Sequence, residues 1–212
     1  MNYDEYYKMN NDVFGEKPEK VLVKYCSKIS KEFPVMDIGA GQGRNTFYLS
    51  KLGYNVVALD PSIVSVEMMK EVKKKENLTF EIFNSDFKSF VNDKSYAAIL
   101  LFGLIQILDW DEIIILKDKI SRWLKKGGLI FLTSFSTKDE SHKEILKVSK
   151  KVGRNSYLKP NGDKRTFFEP GEIKSLFVEY EIVHYWEGLG PEHRHGNSPI
   201  ERHELIEAVF KS

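Results

Sequence analysis

The 212-residue chain carries a single cysteine, Cys26, so it forms no internal disulfide, and the expectation is a reducing, cytoplasmic compartment. It has almost no imbalance of charge. Thirty-two Lys and Arg face 31 Asp and Glu, leaving a net charge of +1 and no global field to draw the molecule to nucleic acid or anionic lipid. It also lacks a long hydrophobic run: the longest, "AAILLFGLI" at 97–105, is far shorter than the ~20 residues a membrane helix needs. The first residues, "MNYDEYYKMNND", are polar and acidic, unlike a signal peptide. No repeat or low-complexity stretch interrupts the chain. What remains is an ordinary globular composition, 42% hydrophobic and 30% charged, long enough to build one domain around a substantial core.

Patterning predicts alternating helices and strands. "KPEKVLVKYCSKI" reads as a helix with Pro18 in its first turn, where a missing N–H costs nothing. "PVMDI", "YNVVALD", "LTFEIFN", "YAAILLF" and "LIFLTSF" read as strands, and "YAAILLF" is apolar enough for a sheet centre covered on both faces. Between them lie a helix from Gly43 to near Gly53, one capped by Ser62, and "DEIIILKDKISRWLKK", expected to end at Gly127-Gly128. After residue 136 the rhythm breaks into an interval, 137–167, with one helix and a turn at "PNGD". It then resumes with the helix "EPGEIKSLF" and the strands "EIVHYWEG" and "RHELIEAVF". The expected fold is α/β: a doubly wound, mostly parallel seven-stranded sheet with helices on both faces and an antiparallel C-terminal edge strand. The organisation expected is one domain over 1–212, with residues 1–17 as an N-terminal cap and 137–167 as a candidate lid or substrate insertion.

Residues 35–45, "VMDIGAGQGRN", place Gly39, Gly41 and Gly43 behind Asp37 at a strand-to-helix turn. Bare backbone at such a turn admits a ligand against the main chain. A dinucleotide turn has the spacing G-x-G-x-x-G, whereas here the third glycine comes one residue early and Arg44 stands in its place. A carboxylate at Asp37 would also repel a pyrophosphate at a cost on the order of a kcal/mol or more. S-adenosylmethionine suits the pattern, with a sulfonium, an α-amine, a carboxylate for the following helix N-terminus, and no phosphate. Asp60 ends the second strand where a carboxylate can accept from both ribose hydroxyls, and Asp86 is placed to meet the adenine amino group, with Phe87 nearby. Any one of these aspartates could be a solvated strand end; three in strand order along the carboxyl edge of one sheet point to a cofactor site. The candidate cofactor residues are Asp37, Gly39, Ala40, Gly41, Arg44, Asn45, Asp60, Pro61, Asp86, Phe87 and Tyr7.

"VMDIGAGQGRNTFYLSKLGYNVVALDPS" resembles the first motif and second strand of class I methyltransferases, and within them the tellurite-resistance methyltransferase family, through "GRNTFYL" and "GYNV". "FGEKP" (14–18) and "FEPGEIKSLFVEYEIVHYWEGLGPEHRH" are similar to that family's N-terminal and C-terminal stretches. The resemblance implies methylation of small molecules, including tellurium and selenium oxyanions and softer nucleophiles, with S-adenosyl-L-homocysteine as product. Two departures fall where substrate should bind: the longer 137–167 interval, and a looser match beyond Arg194, with His203 in place of another basic residue.

Four of the five histidines lie in the last 29 residues. In "PEHRHGN", His193 and Arg194 are candidate catalytic residues, to position an anionic acceptor or remove its proton; a solvated loop between edge strands is the alternative. Tyr3, Arg165 and His195 are candidate substrate residues. No fourth ligand accompanies His193, His195 and His203, and methyl transfer needs none, so no metal is expected. Tyr3, Tyr6 and Tyr7 either fold over the cofactor or cover a helix face, and Phe167 and Phe168 are assigned to the core. Residues 138–165 hold nine Lys and Arg against four Asp and Glu. That excess suits an anionic substrate or is a solvated face. With only Tyr157 as an interleaved aromatic, it argues against nucleic acid. The expected partner is a small-molecule methyl acceptor, with no membrane and a monomer or homodimer. A catalytically inactive SAM-binding sensor or partner subunit is the alternative function, and an NAD-linked oxidoreductase is disfavoured by the glycine spacing.

Overall fold

A computed structural model describes residues 3–9, 15–192 and 200–212. Helices α1 (Tyr3–Met9) and α2 (Lys20–Tyr25) precede β1 (Val35–Ile38), α3 (Arg44–Lys51), β2 (Val56–Asp60), α4 (Ile63–Lys75), β3 (Glu81–Asn84) and β4 (Tyr96–Phe102). Then follow α5 (Trp110–Trp123), β5 (Leu124–Phe135), α6 (Glu140–Val148), β6 (Lys150–Gly153), β7 (Ser156–Leu158), β8 (Lys164–Thr166), α7 (Glu172–Leu176), β9 (Glu181–Leu189) and β10 (Glu204–Lys211).

The main sheet has the order β3-β2-β1-β4-β5-β10-β9. β1 to β5 pair in parallel, while β10 is antiparallel to both of its neighbours. The fold is thus the expected seven-stranded α/β sheet with an antiparallel pair at one edge. The last strand takes the inner place of that pair, and β9 forms the edge. β1, β2 and nearly all of β4 are buried, as apolar strands covered on both faces must be. Period-two alternation splits the core. Met36, Ile38, Val57 and Leu59 pack on the α5 side with Ile113, Leu116, Ile120 and Trp123, whereas Val35, Val56 and Ala58 face Leu22, Leu49 and Met69.

Local signals account for most boundaries. Ser62 caps α4 by accepting from Ser65 N. Asp109 and Glu112 form a reciprocal capping box on α5. Three expectations are revised. Pro18 lies outside its helix, which starts at Lys20 behind Glu19. Gly127 and Gly128 do not close α5; they lie within β5, where Gly127, at φ +78°, donates from N to the carbonyl of Ser212, and Ser212 N donates to that of Gly128. The 137–167 interval contains, besides α6 and the 159–163 turn, a three-stranded antiparallel sheet, β6-β7-β8. Its own small core is Ile145, Tyr157 and Phe167, with Phe135 packed against it. Bonds from Thr137 N to Phe168 O and from Phe168 N to Phe135 O pin this unit to the carboxyl end of β5.

Candidate active site

The chain reverses its winding between β1 and β4, and the turns after β1, β2 and β4 open on the carboxyl edge of the sheet, the ligand crevice of doubly wound folds. Gly39 N and Ala40 N both donate to Leu59 O, at 2.9 and 3.0 Å, tying the glycine turn to the end of β2. Asp60 tightens that junction: Oδ2 accepts from Gly41 N at 2.7 Å and Oδ1 from Ser62 N at 2.9 Å. The carboxylate is 5% exposed and held in one orientation, with lone pairs to spare for two further donors. Burial raises its pKa, and the Ser62 and Gly41 amides pull it back without cancelling the rise.

Asp37 is buried at the end of β1 and accepts from Thr46 Oγ1 at 2.7 Å. Burial pushes its pKa up to about 6; the Thr46 bond opposes this, and the Asp60 charge adds to it. Two buried carboxylates therefore share one turn, an arrangement that favours a cationic ligand and disfavours a phosphate.

The three glycines do different work. Gly41, at φ +55°, leaves room for the Tyr7 hydroxyl, which would lie 3.2 Å from a Cβ there. Gly43, at φ +88°, serves helix packing: a Cβ would meet Phe47 Cζ at 2.6 Å and Met69 Cγ at 2.9 Å. At Gly39, φ +71°, a Cβ would meet Leu104 Cδ1 at 3.3 Å, so protein atoms stand near all three positions and crowd Gly43 most closely.

α1 lies across this turn. Tyr7 is buried, and Ser62 Oγ donates to Asp4 Oδ1. The Tyr3 and Tyr7 rings are 6.0 Å apart. Burial raises the Tyr7 hydroxyl's pKa beyond the ordinary tyrosine range, with Asp60 reinforcing it. Tyr3 is also raised by burial; the Arg165 cation opposes the rise and Asp60 adds to it, so Tyr3 stands within electrostatic reach of both. Tyr3 and Tyr7 of α1 thus stand within electrostatic reach of Asp60 at the end of β2, and Tyr3 also of Arg165 on β8.

Other expected residues have structural partners. Arg44 pairs with Glu19 and donates to Lys17 O, and Asn45 Oδ1 accepts from Glu19 N at 2.9 Å, so both side chains fasten the 17–19 segment onto the turn. The carbonyls of Asp60 and Pro61 accept from Asn84 Nδ2. Asp86 Oδ1 accepts from the Lys88 and Ser89 amides at 2.7 and 2.8 Å; burial alone would raise its pKa, but these bonds lower it. Phe87 belongs to the core, as do Phe167 and Phe168. His193, Arg194 and His195 lie outside the described residues.

Two contributors, Thr46 and Asp139, were missed in the sequence. Thr46 is the third residue of α3, with nothing local to announce its bond to Asp37. His203 donates from Nδ1 to Asp139 Oδ2 at 3.0 Å, and Asp139 also accepts from Glu204 N and Ser141 N, joining the start of α6 to β10. The Asp139 bond raises the pKa of His203. Burial would raise that of Asp139, but the bonds from His203 and Ser141 prevail and lower it.

The family model "Tellurite resistance protein TehB" matches residues 2–149. A probable S-adenosyl-L-methionine-dependent methyltransferase TehB from Haemophilus influenzae is 25% identical over 194 residues, covering 89% of this chain and 62% of that protein. The chain therefore spans about three fifths of that relative's length. A cypemycin N-terminal methyltransferase from Streptomyces is 34% identical over 102 residues, 46% of this chain and 40% of that one. Among solved structures, Haemophilus influenzae TehB superposes with a TM-score of 0.73 at 22% identity, covering all of this chain and 67% of that one. A Burkholderia thailandensis 1,6-didemethyltoxoflavin-N1-methyltransferase, solved with 1,6-didemethyltoxoflavin and S-adenosylhomocysteine, gives 0.71 at 16%, covering all of this chain and 84% of that one.

Proposed function

The chain belongs to the tellurite resistance protein TehB family, and from that premise and the geometry of the turn we propose that it is an S-adenosylmethionine-dependent methyltransferase acting on a small-molecule nucleophile. One observation carries the cofactor reading: Asp60 ends β2 with each oxygen oriented by a backbone amide, facing a glycine turn that carries a second buried carboxylate. Asp60 accepts from the ribose hydroxyls. Asp37 supplies negative charge toward the amine and sulfonium. Gly39, Ala40 and Gly41 offer backbone to the amino-acid portion, beside the N-terminus of α3. Asp86 and the Phe87 backbone border the adenine. Tyr7 covers the turn and excludes water.

When bound, S-adenosylmethionine supplies a methyl group already activated by its sulfonium. The protein's task is then to orient the acceptor in line with it, and holding reactants at about 3–3.5 Å can supply several kcal/mol without a base. A base is needed only for an acceptor that arrives protonated, and His193 with Arg194 is the reading for that role. Residues 1–17 act as a cap, and 137–167 as the cover over the acceptor, in a single domain. The acceptor is an oxyanion, thiol, amine or phenol. The site is cytoplasmic, and the protein acts as a monomer or homodimer.

Calorimetric titration with S-adenosylmethionine, S-adenosylhomocysteine and NADH tests this. Micromolar binding of the first two and none of the third is expected. Absence of binding by both sulfur nucleosides would end the cofactor reading. Binding without turnover of any oxyanion, thiol, amine or phenol acceptor would point instead to a sensor.

A further inference from the structure

Arg165 stands apart from the other basic groups around it. Among the described arginines, Arg44 pairs with Glu19, Arg122 with Asp118 and Arg154 with Glu172, and Arg202 donates to Gly190 O. Lys164, its neighbour on β8, reaches Asp109 at 2.5 Å and Glu112 at 2.9 Å. The Arg165 guanidinium makes no hydrogen bond or ion pair among the described residues, while its backbone pairs with Tyr157 of β7. Its guanidinium carbon lies 5.2 Å from the centre of the Phe135 ring. The group is only partly exposed, and burial disfavours its charge.

Position explains why this is informative. β8 presents alternate residues to opposite faces. Thr166 turns to the carbonyl of Leu108, at 2.6 Å, whereas Arg165 faces Phe135 at the end of β5. The His203 ring is 4.6 Å from that of Phe135, and the Tyr3 hydroxyl feels both Arg165 and Asp60. Arg165 therefore stands beside Phe135 at the end of β5, within electrostatic reach of Tyr3 on the helix that crosses the glycine turn. It also lies beyond residues 2–149, where the family model matches.

We propose that Arg165 anchors a carboxylate on the methyl acceptor, making this an enzyme for organic acids; the proposal rests on the methyltransferase reading above. A guanidinium taken partly out of water is stabilised by an anion that accepts from two of its N–H groups, and its planar fork matches a carboxylate. Phe135, His203 and Tyr3 border the place with rings, which suits an aromatic or planar acid. Asp139 and Asp60 are within electrostatic range of the same cluster, and a doubly charged phosphate would be repelled more strongly than a singly charged carboxylate.

The test is titration of the whole protein, free and saturated with S-adenosylhomocysteine, with benzoate, 4-hydroxybenzoate and indole-3-acetate. Their uncharged amides and inorganic phosphate serve as controls. At least one acid should bind at least tenfold more tightly than its amide and than phosphate. Arg165→Gln should weaken that acid tenfold or more, and Arg165→Lys should fall between. S-adenosylhomocysteine affinity should stay within twofold in both variants, and their melting temperatures should fall little, since among the described residues the guanidinium has no hydrogen bond or ion pair to lose, only its contact with the Phe135 ring. Equal binding of acid and amide, preference for phosphate, no acid bound by the wild type, or an Arg165→Gln variant that binds the acid as well as wild type would each overturn the anchor. Failure of wild type to bind S-adenosylhomocysteine would instead overturn the cofactor reading, and the titrations of the free protein would still judge Arg165.

Discussion

Replacing Asp37 by Asn should make the free protein more stable at neutral pH and a weaker binder of its cofactor. The folded carboxyl is pushed up to about 6 from the ordinary 3.8. It therefore holds its proton to higher pH than in the unfolded chain. Between those values the folded state binds more protons, so Asp37's contribution to stability is fully present below pH 3.8 and is lost as pH rises through 6. An elevation of about two pKa units, at about 1.4 kcal/mol each, makes the loss about 3 kcal/mol, most of it between pH 4 and 7.5. Asn does not titrate. Urea unfolding of wild type and Asp37→Asn across that range should show the variant gaining about 2 kcal/mol relative to wild type as pH rises. A difference that stays flat, or runs the other way, would refute the burial argument. At pH 7.5 the variant should bind S-adenosylmethionine at least tenfold more weakly, because a buried carboxylate no longer meets the cation. Undiminished binding by a stabilised variant would leave Asp37 without a ligand role.

Asp60→Ala removes both the oriented acceptor and the partner of the Gly41 and Ser62 amides, and calorimetry should show a loss of cofactor affinity of about 100-fold or more; normal binding would dismiss the ribose assignment. Gly43→Ala forces a Cβ against Phe47 and Met69 at φ +88° and should cost about 1–3 kcal/mol, read as a lowered thermal midpoint. Thr46→Val deletes the bond that opposes Asp37's elevation, so the pH at which Asp37 titrates, followed by carboxyl NMR, should move upward. His203 gains its proton's partner in Asp139, so its contribution is fully present below pH 6.5 and lost as pH rises through its raised folded value. His203→Gln should flatten the wild-type stability curve on that alkaline side.

Much of this was legible along the chain because it is local. Continuous apolar runs marked β1, β2 and β4, since a parallel strand buried on both faces has no polar face to alternate. Ser62 announced its cap, and the carboxylates at Asp37 and Asp60 announced a crevice, because strand ends and turn residues are set by neighbours a few positions away. Tertiary structure decided the rest. Gly127 and Gly128 became strand only because the chain's end pairs with them. β10 slipped inside β9 because antiparallel pairing with β5 is a long-range choice that hydrophobic pattern does not specify. Gly43 proved to serve helix packing once Phe47 and Met69 occupied the space. Arg165 was one cation in a basic segment until folding gave Lys164 and Arg154 their carboxylates and set Arg165 beside Phe135, without a carboxylate partner among the described residues. Which charge goes unpaired depends on every element packed around it, and that is fixed only in three dimensions.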